Sequence, residues 1–335
     1  MRGHARILFA MTKLPSAVED LQASEPEIGL ALSHAGVRGV QKAVRIRRGT
    51  SETVMAAVID CTVDLAADQK GVHMSRFPEL FEEAIDVVVG SEARLVETLA
   101  EHIASRVVER QRALRAEVWI RAQWPIRRLT PVTGIATQEM VTLCGIAAAS
   151  GTRTRRVVGV EATGINACPC AQGLVRNRAS ERLLDAGFEP DDIEKILELV
   201  PIATHNQRGR ATLFVGTESD LDAELLVGIA ERSMSAPIYD LLKRPDELFV
   251  VEHAHLEPRF VEDSVRHSLH DALDSLPGLA DGDFLLARQV NFETIHVHDV
   301  VAERHGTVGE LRAELSTGTP SAQQTTLAGW LSGEA

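Results

Sequence analysis

Near the middle of the chain a proline stands between two cysteines, Cys168-Pro169-Cys170. Proline fixes φ and lacks an amide proton, so the backbone cannot run through this point as a strand interior. The stretch opens as Glu161-Ala-Thr-Gly-Ile-Asn-Ala-Cys168 and closes, after a helical excursion, on Pro201-Ile-Ala-Thr-His205-Asn-Gln-Arg208. Thiolate and imidazole are the ligands a borderline-soft divalent metal prefers. A lone buried cysteine is often a small hydrophobe, but two flanking a proline in a Gly- and Ala-rich turn favour chemistry. No second cysteine pair is present, so a closed four-thiolate zinc site is excluded, and any metal site here is mixed and open.

On either side of this stretch the pattern reads as strands, helices, strands, loosely repeated. Segments 40–46 and 52–65 are rich in β-formers. Leu95, Leu99, Ile103 and Val107 form a helical stripe, and strands are expected over 116–122, 137–150 and 156–161. Further strands are read at 211–215 and 249–253, with a helix over 220–234 capped by Ser219. Pro258 precedes another helix, with Val261, Val265, Leu269 and Leu273 as its stripe. A strand pair over 283–301 contains Asn291-Phe-Glu-Thr-Ile-His296-Val-His298. No low-complexity linker appears, so two similar halves in one body are expected: 1–160, then 161–335 with a helical insertion at 171–200.

A net charge of −13 over 335 residues argues against a general nucleic-acid or anionic-membrane binder. The four cysteines, Cys61, Cys144, Cys168 and Cys170, make no disulfide framework in a chain this long. No apolar run approaches membrane-spanning length, and no export signal is read at the start. A cytoplasmic protein with reduced thiols is expected.

His296 and His298 would share one strand face by period-two geometry. His253 and His255 have the same spacing, so spacing alone is a weak guide. Imidazole suits proton transfer near neutral pH. Basic clusters at 70–76, 153–156, 208–210 and 243–244 stand out in an acidic chain, and several adjoin the metal candidates. They suit an anion such as phosphate. Neither a Walker loop nor a Gly-rich dinucleotide fingerprint is present.

Taken together, several pieces resemble the type IB GTP cyclohydrolases, a metal-dependent prokaryotic family. They are Lys70-Gly-Val-His-Met-Ser-Arg-Phe77, Gly164-Ile-Asn-Ala-Cys-Pro-Cys-Ala171, Thr204-His-Asn-Gln-Arg208, Ser235-Ala-Pro237, Leu241-Leu-Lys-Arg-Pro-Asp-Glu247, Phe260-Val-Glu-Asp263 and Asn291-Phe-Glu-Thr-Ile-His-Val-His298. They follow the family's order over roughly residues 30–300, and the insertion after Cys170 resembles the archaeal-type branch. The opening Leu14–Asp20 matches only loosely.

The resemblance implies an α+β, tandem tunnelling fold (T-fold) of antiparallel sheets backed by paired helices. It implies a homodimer or homotetramer with active sites at subunit interfaces and GTP as substrate. The implied metal ligands are Cys168, His205 and Glu247, holding one divalent ion per subunit: Fe(II), or Zn(II) or Mn(II). Glu262 would hold the guanine, with His73, Ser75, Arg76 and Arg208 also on the substrate side. Cys168, Cys170, His296 and His298 would serve the chemistry. That chemistry is hydrolytic opening of the guanine imidazole ring at C8, release of formate and closure to a 7,8-dihydroneopterin phosphate, either the 2′,3′-cyclic phosphate or the triphosphate. Two other readings remain: a nitrile reductase of the same fold using a cysteine nucleophile, or a non-catalytic metal-stabilised assembly protein.

Overall fold

In the segment 55–65, Met55, Ala57, Ile59, Cys61, Val63 and Leu65 are buried while the residues between them are not. This period-two burial is the mark of a strand with one face on a core. The computed structural model describes residues 22, 24–48, 51–90, 96–151, 153–320, 322 and 324–333. In chain order the elements are β1 (Leu32–Arg48), β2 (Ser51–Leu65), α1 (Arg76–Gly90), α2 (Val96–Gln111), β3 (Arg115–Leu129), β4 (Ala136–Ser150) and β5 (Arg153–Ala167). There follow α3 (Pro169–Asp185), α4 (Pro190–Leu199), β6 (Asn206–Gly216), α5 (Ala223–Arg232), β7 (Ala236–Pro237), α6 (Arg244–Leu256) and α7 (Val261–Ser275). The chain ends with β8 (Phe284–Asn291), β9 (Val300–Thr307), α8 (Val308–Thr317) and α9 (Leu327–Ser332).

The expected tandem tunnelling fold, with sheets backed by paired helices, is not the architecture found. The strands join one nine-stranded sheet in the order β1-β2-β3-β4-β5-β6-β8-β9, with β7 paired to β5. Every pairing is antiparallel. The sheet is continuous because β5 pairs with β4 on one edge and β6 on the other, which leaves no break between the halves. The expected division at 160/161 falls inside β5.

Central strands are covered on both faces. In β4, Leu143, Ala147 and Ala149 belong to the main core, which includes Ile103 and Val107 of α2. Cys144, Ile146 and Ala148 face the other way, toward Phe214, Phe284, Trp330 and Leu331, the last two from α9. Burying each large side chain contributes about 1.5–3 kcal/mol. Gly145 is the point where α2 touches the sheet. A Cβ there would lie 2.5 Å from the backbone carbonyl of Val96 and 2.6 Å from Glu97 N, so only glycine admits the helix this close.

Two local expectations change. The 249–253 run is the middle of α6, and α5 is capped by Asp222, whose carboxylate accepts from Glu224 N at 3.0 Å, rather than by Ser219. Leu95 of the predicted stripe, and the Leu14–Asp20 match, lie outside the described residues. Among the described residues no helix is long and apolar enough to cross a membrane.

Docking α2 buries an acid. Glu97 is 3 % exposed, and its Oε2 has no hydrogen-bond partner among the described residues. Burial pushes its pKa from 4.5 up to about 7, against its own backbone hydrogen bond and the nearby Arg156. A raised carboxyl pKa favours the neutral acid in the fold, so stability declines as pH rises from the unfolded value through the folded one. Glu97→Gln should therefore gain on wild type by on the order of 2–3 kcal/mol between about pH 4 and pH 8. Chemical denaturation at both pH values checks this; a constant difference would show that Glu97 ionises without cost.

Candidate functional site

Register brings the two key residues together. β5 and β6 run antiparallel with Ala167 opposite Asn206, so the next residue outward on each side, Cys168 and His205, are neighbours. Cys168 N donates to His205 O at 3.2 Å, and Thr204 Oγ1 donates to Cys168 O at 3.1 Å. Pro169 ends the strand and occupies a first-turn position of α3. Cys168 caps that helix, its Sγ accepting from Ala171 N at 3.5 Å. Cys168 is half-buried and Cys170, one residue into α3, is exposed.

The tautomer of a neutral His205 ring follows from its neighbours. Gln207 Nε2 donates to Glu293 Oε1 at 3.1 Å, and only the amide nitrogen can donate to a carboxylate. Gln207 Oε1 is therefore the atom that lies 3.0 Å from His205 Nδ1, and an amide oxygen can only accept. Nδ1 must carry the hydrogen, which leaves the Nε2 lone pair free to bind a metal. Glu293 Oε2 lies 3.9 Å from the same Nδ1. The chain Glu293–Gln207–His205 thus orients the imidazole of the residue whose backbone pairs with that of Cys168.

The remaining expected residues are spread over several elements. Glu247 is exposed on the first turn of α6, and Glu262 is exposed on the first turn of α7. Among the described residues no three His, Cys, Asp or Glu converge as a metal-holding group, so one chain brings Cys168 and His205 together without Glu247. His296 and His298 do not lie on a strand. β8 ends at Asn291, and the two imidazoles stack on each other in an exposed bend, centroids 5.2 Å apart. That bend is rooted beside His205, because Phe292 N donates to Arg208 O at 3.0 Å and Thr294 Oγ1 to Asn206 O at 3.3 Å. Arg208 is exposed on β6. His73, Ser75 and Arg76 lie at the start of α1, which packs on β1 at the far flank of the sheet. His73 O accepts from Gln111 Nε2 at 3.1 Å, and Arg76 Nη1 donates to Arg110 O at 3.2 Å.

Other contributors carried a signal that spacing alone did not raise. Gln207 is two residues from His205 at the start of a strand. His255 is buried, with Nε2 3.3 Å from Thr204 O and Nδ1 2.8 Å from Val251 O, so it braces the loop that presents His205. Asp246 follows Pro245 where a capping acid belongs. It is fully buried and accepts from Val132 N, Thr133 N and Lys243 N, and from Thr133 Oγ1 at 2.7 Å. These bonds clamp the helix that carries Glu247 onto the β3–β4 turn.

Burial alone would raise the Asp246 pKa, but the four donors outweigh it and hold the carboxyl well below its ordinary range. A depressed pKa contributes stability above the unfolded value of about 3.9 and loses it as pH falls. Asp246→Asn, which sets an amide against Lys243 N–H, should melt lower at neutral pH. The gap to wild type should close below about pH 4. Thermal melts across that range test this; parallel curves would show that the ionised carboxylate is not what holds α6.

Residues 18–302 match the family described as Type I GTP cyclohydrolase folE2. The chain is 39% identical over 317 residues to GTP cyclohydrolase MptA of Methanosarcina mazei, covering 91% of this chain and 100% of that protein. It is 40% identical over 306 residues to GTP cyclohydrolase MptA of Methanococcus vannielii, covering 88% and 98%. The relatives are archaeal, in keeping with the branch that the insertion after Cys170 resembles. The uricase of Arthrobacter globiformis shares 9% identity at a TM-score of 0.47 over 87% of this chain and 96% of that one, and nothing about chemistry follows from it. The family match spans most of the chain and includes all of the pieces singled out in its sequence, so the chain belongs to the type I GTP cyclohydrolase folE2 family of enzymes.

Proposed function

We propose that this enzyme is a metal-dependent GTP cyclohydrolase of the IB, archaeal-type branch. It opens the guanine ring at C8 with water, releases formate and forms a 7,8-dihydroneopterin phosphate, the 2′,3′-cyclic phosphate in this branch, with the other two phosphates of GTP leaving as pyrophosphate. The observation that carries the reading is the oriented His205 beside Cys168: a nitrogen lone pair and a sulfur at adjoining strand ends are a donor pair that fits a borderline-soft divalent ion. Glu247 is the proposed third ligand. When bound, such an ion supplies the acidity that makes water nucleophilic near neutral pH.

The chain's own residues do the rest. Glu262 is exposed and has no side-chain partner among the described residues, as a carboxylate must be if it is to accept from the guanine ring N–H and exocyclic amine together. Cys170, His296 and His298 are the proposed proton carriers to and from the ring nitrogens; their solvent exposure, on segments rooted beside His205, supports this. Arg208 faces the phosphates from β6. His73, Ser75 and Arg76 lie on the far flank, so they reach the same substrate only from another subunit. A homodimer or homotetramer with sites between subunits is therefore part of the proposal.

Incubating the protein with GTP and Fe(II), Mn(II) or Zn(II), followed by mass analysis, tests the whole reading. Formate and a dihydroneopterin phosphate are expected, and GTP returned intact with every metal would end it. Glu262→Gln should keep its metal and lose roughly thirtyfold or more in kcat/KM. Cys168→Ala and His205→Ala should purify folded but without metal; normal metal content in either removes that residue from the ligand set.

A further inference from the structure

Behind Cys168 and His205 lies a group of buried amides and hydroxyls that the proposed chemistry does not use. Asn166 and Ser235 are fully buried, and Ser264, Gln289 and Asn291 are at most 2 % exposed. Asn166 Nδ2 donates to Asn291 Oδ1 at 2.9 Å and to Ser264 Oγ at 3.2 Å. Its Oδ1 accepts from Ser235 N at 3.0 Å, and Ser235 Oγ accepts from Ala167 N at 3.2 Å. Gln289 Nε2 donates to the same Asn291 Oδ1 at 3.0 Å. Both amide hydrogens and the oxygen of Asn166 are therefore bonded. Burying amides is costly unless they are bonded, and an amide bonded at every polar atom, as Asn166 is, tolerates only one arrangement of its partners; Gln289 Oε1, by contrast, has no partner among the described residues.

Three of the members stand two residues from a group at the site. Asn166 precedes Cys168 on β5, Asn291 precedes Glu293 after β8, and Ser264 follows Glu262 on α7. Across the sheet Asn166 pairs with Gln207, the residue that orients His205. Space for the cluster depends on Gly209, where a Cβ would lie 2.4 Å from Gln289 Nε2 and 3.0 Å from Asn291 Oδ1.

We propose that Asn166 is a positioning residue, which sets the segments bearing Cys168, Glu262 and Glu293 in register with one another. This rests on the reading of the site given above. The amide of Asn166 on β5 bonds both Ser264 of α7 and Asn291 of β8, and so joins the three segments directly. A displacement of about 1 Å in such groups is enough to cost a hundredfold in rate.

The test compares Asn166→Ala, Ser264→Ala and Gly209→Ala with Ile103→Val, a change in the buried face of α2 away from the cluster. Melting temperature, kcat and KM for GTP, and metal affinity by chelator competition are measured for each. Asn166→Ala is expected to weaken metal binding about tenfold or more and to raise KM by a similar factor. Ser264→Ala cuts only the arm to α7, so KM should rise while metal affinity stays within about twofold of wild type. Gly209→Ala removes no hydrogen-bonding group, yet should behave like Asn166→Ala. Ile103→Val should lower the melting temperature and change neither constant.

If Asn166→Ala alters KM and metal affinity no more than Ile103→Val does, Asn166 is core packing and the proposal falls. Should Asn166→Ala fail to fold, an unchanged KM in Ser264→Ala overturns it equally. Wild-type protein that releases no formate removes the cyclohydrolase reading instead, and metal affinity then decides the positioning role by itself.

Discussion

Antiparallel pairing of β5 with β6 is the contact on which both the sheet and the site depend. It joins the strands of the two halves into one surface, and its register alone makes neighbours of Cys168 and His205. The chain between them is long, so bringing its ends together costs loop entropy, which grows only slowly with length. Much of that excursion is helix held by little packing. α3 buries no residue, α4 buries Ile193 and Leu197, and Arg176 Nη1 donates to Leu197 O at 2.8 Å across the pair. The strands hold the site, and the excursion is a surface feature laid beside it.

Adjacent acids in α6 show how helix geometry divides labour. Asp246 turns inward onto four donors and fastens the helix, while Glu247, next along the helix, faces solvent. The same division recurs in α7, where Ser264 points into the buried cluster and Glu262 outward. In each case a satisfied buried group holds the backbone so that an exposed one is presented in a fixed place. The exposed groups are held by the fold but not consumed by it.

Some of this was legible in the residues. Where a strand has one face on a core, as from Met55 to Leu65, alternation marks it; where a helix packs one stripe, as at Leu99, Ile103 and Val107, the fourfold spacing marks it. The failures have the same physical root. Phe249–His253 is a short apolar run whose period is ambiguous, and it lies in a helix. From Thr294 to His298 the residues alternate like a strand, yet Ile295 and Val297 are exposed and no core face exists for the pattern to serve. The tandem of sheets backed by paired helices is implied by the family resemblance, while the element order alone indicates only an α+β chain; order along the chain says nothing about which strand edges meet.

By itself the sequence determined that a thiol and an imidazole, Cys168 and His205, bracket the helical excursion, that the strand breaks at Pro169, and that the chain belongs to a GTP cyclohydrolase family through motifs spread along it. These are local properties, written in residue type and short spacing. Only the tertiary structure decided that one sheet is continuous, that His205 is oriented through Gln207 by Glu293, and that Asn166 ties three elements together. Those facts depend on which distant backbone edges pair and which polar atoms are left dry when they do. No spacing along the chain encodes that, because burial and hydrogen-bond partners are properties of the packed whole.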